Sequence, residues 1–510
     1  MNEDRVIGPP GTGKTTFLTQ VLQHHSVDKE VIAISHTKAA AVELAGRNDA
    51  IPRDNISTLH ALGYRSMGSP ELAEKKAPLE DFAEKHSQWQ FKTTENSFDC
   101  GGADMLSEYS LLRNRCIPRK LWPQEVTAFA KAWEAFKHDE DLIDFTDMIE
   151  FAADVAPQNP QIMIVDEAQD MSRLQWQLVK KWAGNCEKII TAGDVDQSIF
   201  GWAGADISWF KENKPARQQV LSQSYRVPRA VHRLAMNWIR QCSDREDVEY
   251  KPRDYDGSVT RASATIKDPI SLLPLIEDRL AQGKSVMIMA SCGYMLDPTI
   301  KMLRDNCIPF ANPWRKKEGR WNPLSNKKTS TVAAVAAFAA MHHHKRYWTA
   351  TEIQQWMAII GKVLKRGGRK MLEWGVREEL REEEYMENMA NLMTNEDFVD
   401  CQAPPPGGLM WLADHLLASK RQAAEFPLQL LQRRGAEALT EEPRVYIGTC
   451  HSFKGGEADT VVLFPDLSQQ GMGEWSGAGR NSVLRLFYVG LTRAKEDVIL
   501  GTASSGATVW

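Results

Sequence analysis

The chain of 510 residues contains no run of about 18 apolar residues, so no membrane-spanning helix is predicted. The apolar stretch TVAAVAAFAAM (331–341) is too short to cross a bilayer and predicts a buried helix instead. The eight cysteines are scattered, with no CxxC pair or regular spacing, which excludes a disulfide scaffold and suits a reducing compartment. The opening MNEDRVIG lacks the basic and apolar regions of a secretory leader, so a cytoplasmic location, in a bacterium or a phage-infected host, is expected. An excess of positive charge is also missing. The formal net charge is −5, so any binding of nucleic acid must come from a local basic surface. No internal sequence repeat is evident. What is present is ample apolar residue, 43%, enough to fill the cores of three or four compact units.

The most informative stretch is RVIGPPGTGKTTFL (5–18). Val6 and Ile7 favour a strand, and TTFLTQVLQ after Lys14 has helical spacing, so the order strand, glycine loop, helix is predicted. Gly8 to Thr15 fits GxxxxGK[ST]. Glycines let backbone N–H groups converge on phosphate oxygens, and the helix N-terminus adds a favourable dipole. The loop residues Gly8, Pro9, Pro10, Gly11, Thr12, Gly13, Lys14, Thr15 and Thr16 are the candidate nucleotide ligands. Lys14 would reach the β- and γ-phosphates and the Thr15 hydroxyl would bind Mg²⁺.

A second stretch, QIMIVDEAQD (161–170), is an apolar run ending in acids. It predicts a buried parallel strand that delivers Asp166 and Glu167 to its C-terminal edge, where α/β sheets bind ligands. Asp166 can hold the Mg²⁺ bound by Thr15, and Glu167 is placed to orient or deprotonate an attacking water.

DEAQD followed by TAGDVDQSIFGWAGA (191–205) resembles motifs II and III of superfamily 1 helicases of the UvrD/Rep/PcrA type. Further stretches resemble the rest of the set, in order: AISHTKAAAVEL (33–44), ISTLHALGYR (56–65), DFTDMI (144–149), LSQSYRVP (221–228), VYIGTCHSFKGGEADTVVL (445–463) and LRLFYVGLTRAKEDVIL (484–500). The resemblance implies an α/β fold with two RecA-like P-loop motor domains and mostly helical inserted subdomains. Residues 1–65 and 140–219 would form motor domain 1A, and 66–139 its insertion 1B. Residues 220–314 and 441–510 would form 2A, and 315–440 its insertion 2B. It also implies the ligands ATP and Mg²⁺, single-stranded and tailed duplex DNA as partners, and a monomer.

Carried over position by position, the resemblance assigns Gln197 to sensing the γ-phosphate and coupling it to DNA. Arg226 and Arg493 would reach the γ-phosphate from the second motor domain, where a planar, permanently charged fork suits phosphate. Tyr225 would stack on the base and Glu457 would bond the ribose. On the DNA side stand His36, Thr37, His60, Trp202, Thr449 and His451, with Trp202 stacking on a base; such stacking tolerates any sequence. Trp510 is expected near the aromatic tip of the hairpin that wedges the duplex apart in the family, with a frayed tail as the alternative. Basic stretches WRKKEGRW and KRGGRK, interleaved with Trp314, Trp321 and Trp348, are expected either to contact duplex DNA or to form a solvated helical face. The triplet His342, His343, His344 is not expected to hold a metal, because adjacent histidines on a helix point in different directions.

The sequence also departs from the family pattern. No glutamine-bearing helix precedes the first strand, so relaxed nucleotide selectivity is expected. Ala203 follows the tryptophan of motif III where arginine is usual, and His36 stands where threonine is usual. NSVLRLFYV lacks the charged pair that usually opens motif VI. A nuclease domain and a partner-recruiting tail are not expected. The expectation is therefore an ATP-driven helicase moving 3′→5′ on single-stranded DNA, in replication, repair or recombination. The alternatives are a translocase without unwinding, or an ATP-switched DNA-binding subunit of a nuclease or defence complex.

Overall fold

The computed structural model describes residues 2–36, 38–46, 51–89, 91, 105–155, 160–315, 319–324, 327, 329–361, 363, 386–387, 389–391, 393–504 and 509. The chain divides into two compact units. One comprises Met1–Thr260, Cys450–Leu500 and Ser505–Trp510, the other Arg261–Thr449 and Gly501–Ser504.

The first unit is built on six strands: β1 (Glu3–Ile7), β2 (Val31–Ser35), β3 (Ile56–Thr58), β4 (Ile162–Asp166), β5 (Lys188–Gly193) and β6 (Arg217–Val220). Their order is β3-β2-β4-β5-β1-β6 and every pairing is parallel. Strands covered on both faces must be apolar on both faces, and β2 and β4 are buried along their whole length. Alternation along β4 splits the core in two. Ile162 and Ile164 pack with Leu18, Leu22 and Leu44. Met163 and Val165 pack with Leu59, Ile149, Trp176, Val179 and Trp182. The register sets Ile7 against Gly193 and Val165 against Thr191, so three chain turns leave the sheet at one edge.

Helices Lys76–Lys85, Met105–Asn114 and Gln124–Asp139 close around an aromatic core of Phe82, Tyr109, Phe129, Trp133 and Phe136. Beneath it lies an ionic cluster. Asp144 and Asp147 form a reciprocal capping box on helix Phe145–Ala152. Both also pair with Arg113 and Lys137, and Arg113 reaches Glu150 at 2.7 Å. That helix packs on helix Leu59–Ser66 so closely that a Cβ on Gly63 would sit 2.9 Å from the Met148 carbonyl. Elsewhere in the unit, strand Ala458–Leu463 pairs parallel with Ala494–Leu500, and helix Arg480–Leu491 is buried from Val483 onward.

In the second unit, KSVMIMAS yields the buried strand Val286–Ala290, parallel to Val445–Thr449, which pairs in turn with Phe310–Ala311. The stretch 331–341 lies in helix Thr331–His344, whose buried face includes Val335 and Phe338. Phe338 packs with Trp348, Trp356 and Trp411, and Trp348 donates its indole N–H to the Phe338 carbonyl at 2.8 Å. Trp321 is 8% exposed, covered by the guanidinium groups of Arg315 and Arg320. Trp348 and Trp321 are therefore core residues with no face free for DNA. Residues 365–370 lie outside the described residues. Among the described residues no helix is long and apolar enough to cross a membrane, and no cluster of three or more His, Cys, Asp or Glu is placed to hold a metal by itself.

Candidate functional site

The loop after β1 is shaped by its glycines. Gly11 has φ 73° and Gly13 φ 81°, both in the left-handed region where a side chain is strained. At Gly8 the constraint is space, since a Cβ would meet Lys14 Cγ at 2.3 Å. Gly13 is the N-cap of helix Lys14–His25, and the first helical bond, Phe17 N–H to the Gly13 carbonyl, is 2.9 Å. The loop thus presents the N-terminal amides and positive dipole end of a three-turn helix. The Lys14 ammonium donates to the Gly8 carbonyl at 2.6 Å and stays inside the loop.

The neighbouring strand ends supply acids. Asp166 closes β4, is 3% exposed and accepts the Glu167 N–H at 2.9 Å. Glu167 has φ 52°, an unusual conformation for a residue with a side chain. Gln169 fixes it, donating to Glu167 Oε2 at 2.7 Å while its own oxygen accepts the Asp194 N–H at 3.0 Å. Beyond β5, Asp194 caps the turn Val195–Gln197, accepting from the Asp196 N–H at 3.0 Å and from Gln197 Nε2 at 2.7 Å.

Cations from the later part of the chain converge on these groups. Arg493, 1% exposed, donates through Nη2 to Gln197 Oε1 at 3.2 Å and through Nε to the Val489 carbonyl at 2.9 Å. Lys454 donates to the Gln197 carbonyl at 2.7 Å and pairs with Asp170. It also stands 3.6 Å from Glu167. Arg226 pairs with Glu457 at 2.7 Å, so two residues expected at different parts of the nucleotide meet each other. The segment holding Arg226 is pinned to the glycine loop after β1. Ser224 Oγ donates to the Pro10 carbonyl at 2.9 Å, and the Tyr225 N–H to the Gly11 carbonyl at 2.8 Å. The Tyr225 ring stands 72% exposed beside the loop.

The electrostatics follow from this crowding. Burial opposes the Glu167 charge, but Lys14, Lys454 and Arg493 outweigh it and hold the carboxyl down at about 2. Burial lifts Asp170 to about 7 despite Lys454. Burial and the neighbouring Arg226 pull Arg493 down to about 9, against the attraction of Glu167.

On the far side of the Val195–Gln197 turn the chain leads to a ring-lined surface. His36 stacks on Phe200 at 5.2 Å, Phe200 lies 6.2 Å from His451, and Trp202, 39% exposed, meets His451 edge-on at 6.2 Å. Lys454 sits 5.2 Å over the Phe200 ring, which joins this surface to the acids at the sheet edge. Burial lowers His36 to about 3, and His60 and His451 each to about 4. All three are neutral at pH 7, suited to stacking and hydrogen bonding, not to charge neutralisation. Thr449 belongs to the other unit, at the end of strand Val445–Thr449. Thr37 and Trp510 lie outside the described residues.

Several participants were not singled out from the sequence. Lys454 lies inside the SFKGGEAD stretch and could have been flagged by its place before a glycine pair. Gln169 sits within DEAQD. Phe200 lies between Gln197 and Trp202. Ser224, whose hydroxyl is buried against the loop, carries no comparable signal.

The donor set fits a nucleoside triphosphate with magnesium. Lys14, Arg226, Lys454 and Arg493 bring four cations to the loop and the strand ends, where a polyanion would meet charge-assisted hydrogen bonds. Thr15 and Asp166 offer a hydroxyl and a carboxylate, the hard oxygen ligands that Mg²⁺ takes when phosphates complete its coordination.

Comparison with known proteins agrees with this geometry. The UvrD/REP helicase N-terminal domain family matches residues 3–217, and the UvrD-like helicase C-terminal domain family matches residues 444–500. A relative from Staphylococcus epidermidis, the ATP-dependent DNA helicase PcrA, is 23% identical over 279 residues, 47% of this chain and 38% of the relative. The protein of that name from Staphylococcus aureus is 24% identical over 286 residues, again 47% of this chain and 38% of the relative. The match thus spans well under half the length of these relatives.

Proposed function

The chain belongs to the UvrD/Rep/PcrA-type helicases of superfamily 1, and from that premise we propose that it is an ATP-driven DNA helicase moving 3′→5′ along single-stranded DNA. The observation that carries this reading is the double role of one short turn. Gln197 takes Arg493 on its side chain and Lys454 on its backbone, and five residues later the chain reaches Trp202 on the ring-lined surface. A change at the phosphate end therefore has a direct covalent route to the surface that would hold a strand.

In this reading residues 1–65 and 140–219 are motor domain 1A, 66–139 its insertion, 220–314 and 441–510 motor domain 2A, and 315–440 its insertion. Backbone amides of the loop and Lys14 bind the phosphates, and Tyr225 offers its open face to the base. Thr15 and Asp166 would hold Mg²⁺, which when bound neutralises phosphate charge. Glu167 orients the attacking water. A carboxylate held at about 2 is ionised throughout the neutral range and accepts a hydrogen bond well, but it is a weak proton store. Arg226 and Arg493 stabilise the charge that spreads over the equatorial oxygens of the transferring phosphoryl group. Arg226 must leave Glu457 to do so, which frees that carboxylate for the ribose. Trp202, His451, His36 and His60 grip bases by stacking and neutral hydrogen bonds, so grip is independent of sequence. The relatives' name speaks for ATP dependence and DNA. The form GDVDQSIFGWAGA speaks for the 3′→5′ direction.

The deciding experiment is strand displacement from duplexes carrying a 3′ or a 5′ single-stranded tail, with ATP and Mg²⁺. Displacement from the 3′-tailed substrate alone is expected. Preference for the 5′ tail would overturn the direction. ATP hydrolysis with no displacement from either would leave a translocase or an ATP-switched subunit.

A further inference from the structure

Residues 242–251, which follow helix Arg229–Ile239 and run into the first residue of strand Lys251–Arg253, carry none of the resemblances to the family described above, yet they touch three parts of the site. At one end Asp244 accepts Arg485 Nη2 at 2.7 Å and Asn481 Nδ2 at 2.8 Å, both from helix Arg480–Leu491. In the middle Arg245, 12% exposed in its side chain, places Nε and Nη2 on Asp196 Oδ2 at 3.2 and 3.1 Å. At the other end the Tyr250 hydroxyl donates to the Pro10 carbonyl of the phosphate loop at 2.9 Å.

The Arg245 contact falls on the turn that joins the phosphate end to the ring-lined surface. Four cations hold that turn: Arg485 Nε on the Val195 carbonyl at 3.0 Å, Arg245 on Asp196, and Lys454 and Arg493 on Gln197. Of the four, only Arg245 pairs with a carboxylate on the turn itself. Asp196 is 4% exposed, and its other oxygen has no hydrogen-bond partner among the described residues. Its position is therefore set by the Arg245 fork and the Asp194 cap. The Tyr250 anchor is equally specific. Its ring lies 4.7 Å from His232, which meets the Tyr250 carbonyl at 3.0 Å, and its hydroxyl also interacts with Ser224, which donates to the same Pro10 carbonyl.

We propose that residues 242–251 form a strap that couples the phosphate loop to the strand-holding surface, with Tyr250 its anchor on Pro10 and Arg245 a positioning residue that sets the Asp196 turn. The strap rests on the motor function proposed above and adds a route to it. A displacement of the phosphate loop is passed through the Pro10 carbonyl to Tyr250, back five residues to Arg245, and so to the turn Val195–Gln197 that leads on to Trp202. Neither residue touches the transferring phosphoryl group. Their loss should cost communication, not hydrolysis itself.

The test measures ATP turnover with and without oligothymidylate in the full chain, for Arg245→Met, Arg245→Lys and Tyr250→Phe. Without DNA, kcat and KM for ATP should stay within about twofold of wild type. The stimulation by oligothymidylate should fall about tenfold in Arg245→Met, within the range usual for a coupling between two sites. Arg245→Lys should recover part of it, since a lysine restores charge without the fork. Tyr250→Phe removes a single hydroxyl, is the variant least at risk of misfolding, and should move the same ratio in the same direction. A merely structural role would lower basal and stimulated rates together, and that result overturns the strap. Wild-type stimulation retained in both Arg245→Met and Tyr250→Phe also overturns it, alone. A wild-type rate indifferent to oligothymidylate would sink the motor reading and the strap with it.

Discussion

Glu167 holds a left-handed backbone conformation at φ 52°, which for a residue with a side chain costs on the order of 1–3 kcal/mol. The surroundings keep it there: Gln169 bonds its carboxylate and Lys454 lies within ion-pair reach. Strain kept at a sheet edge beside a phosphate loop is intelligible if this carboxylate must point at one place. At this scale two outcomes are expected. Lys14→Ala should abolish ATP hydrolysis while leaving single-strand binding nearly intact, because the ammonium lies inside the loop and away from the rings; turnover assays beside fluorescence titrations check it. Arg493→Ala should slow hydrolysis by about 10³-fold or more with a much smaller change in nucleotide affinity, as for a group acting chiefly in the transition state. A variant that changes only KM would contradict that role. The phosphate loop and the acids of β4 were legible in the sequence because each is a local pattern within one stretch. Lys454 and Tyr250 were not, because their partners Asp170 and Pro10 lie hundreds of residues away and no periodicity reports such a pairing.

Helix Phe145–Ala152 shows how much an element can depend on charge placed beneath it. Its capping aspartates, Asp144 and Asp147, are buried and share Arg113 and Lys137. Removing one partner of such a group leaves an uncompensated buried charge, so Arg113→Met or Lys137→Met should each cost about 3–5 kcal/mol in urea denaturation. Glu74 belongs to the same cluster, accepting the Phe145 N–H at 2.8 Å. Burial, with Asp144 adding to it, raises its carboxyl to about 8 from an ordinary 4.5. A raised acid binds its proton more tightly folded than unfolded. Its contribution to stability is therefore full below about pH 4.5 and is lost as pH rises through about 8. Glu74→Gln keeps an acceptor for Phe145 without the titration. The fall in melting temperature between pH 5 and pH 8 should shrink in that variant, and an unchanged fall would refute the assignment. The helical character of the insertion was expected only through the resemblance to the family. The sequence misled where Trp321 and Trp348 alternate with basic residues, since composition does not distinguish a ring beneath an arginine from a ring offered to a ligand.

The whole chain is acidic, with a net charge of −5, yet it belongs to a family of DNA motors. Under the proposed function the ring-lined surface reconciles the two. Its histidines are neutral at pH 7, and Lys454, over the Phe200 ring, is already engaged by Asp170. A grip by stacking would release few counterions. Each neutralised phosphate adds about 0.7 to the slope of log affinity against log salt for single strands, so a slope no steeper than about −3 is expected. A slope of about −7, measured by titrating oligothymidylate at several salt concentrations, would mean some ten neutralised phosphates and would place the main contact elsewhere.

The Pro10 carbonyl accepts two hydroxyls, from Ser224 and from Tyr250, and it belongs to the backbone. No side-chain replacement at position 10 deletes it. A mutational scan would therefore score this junction as tolerant at Pro10 and assign its effect to Ser224 and Tyr250, more than two hundred positions away. Genetic maps of this loop would under-count its duties, because the face it would turn to a nucleotide carries amides and a lysine, while the face it turns to the rest of the chain carries oxygens that no codon change removes.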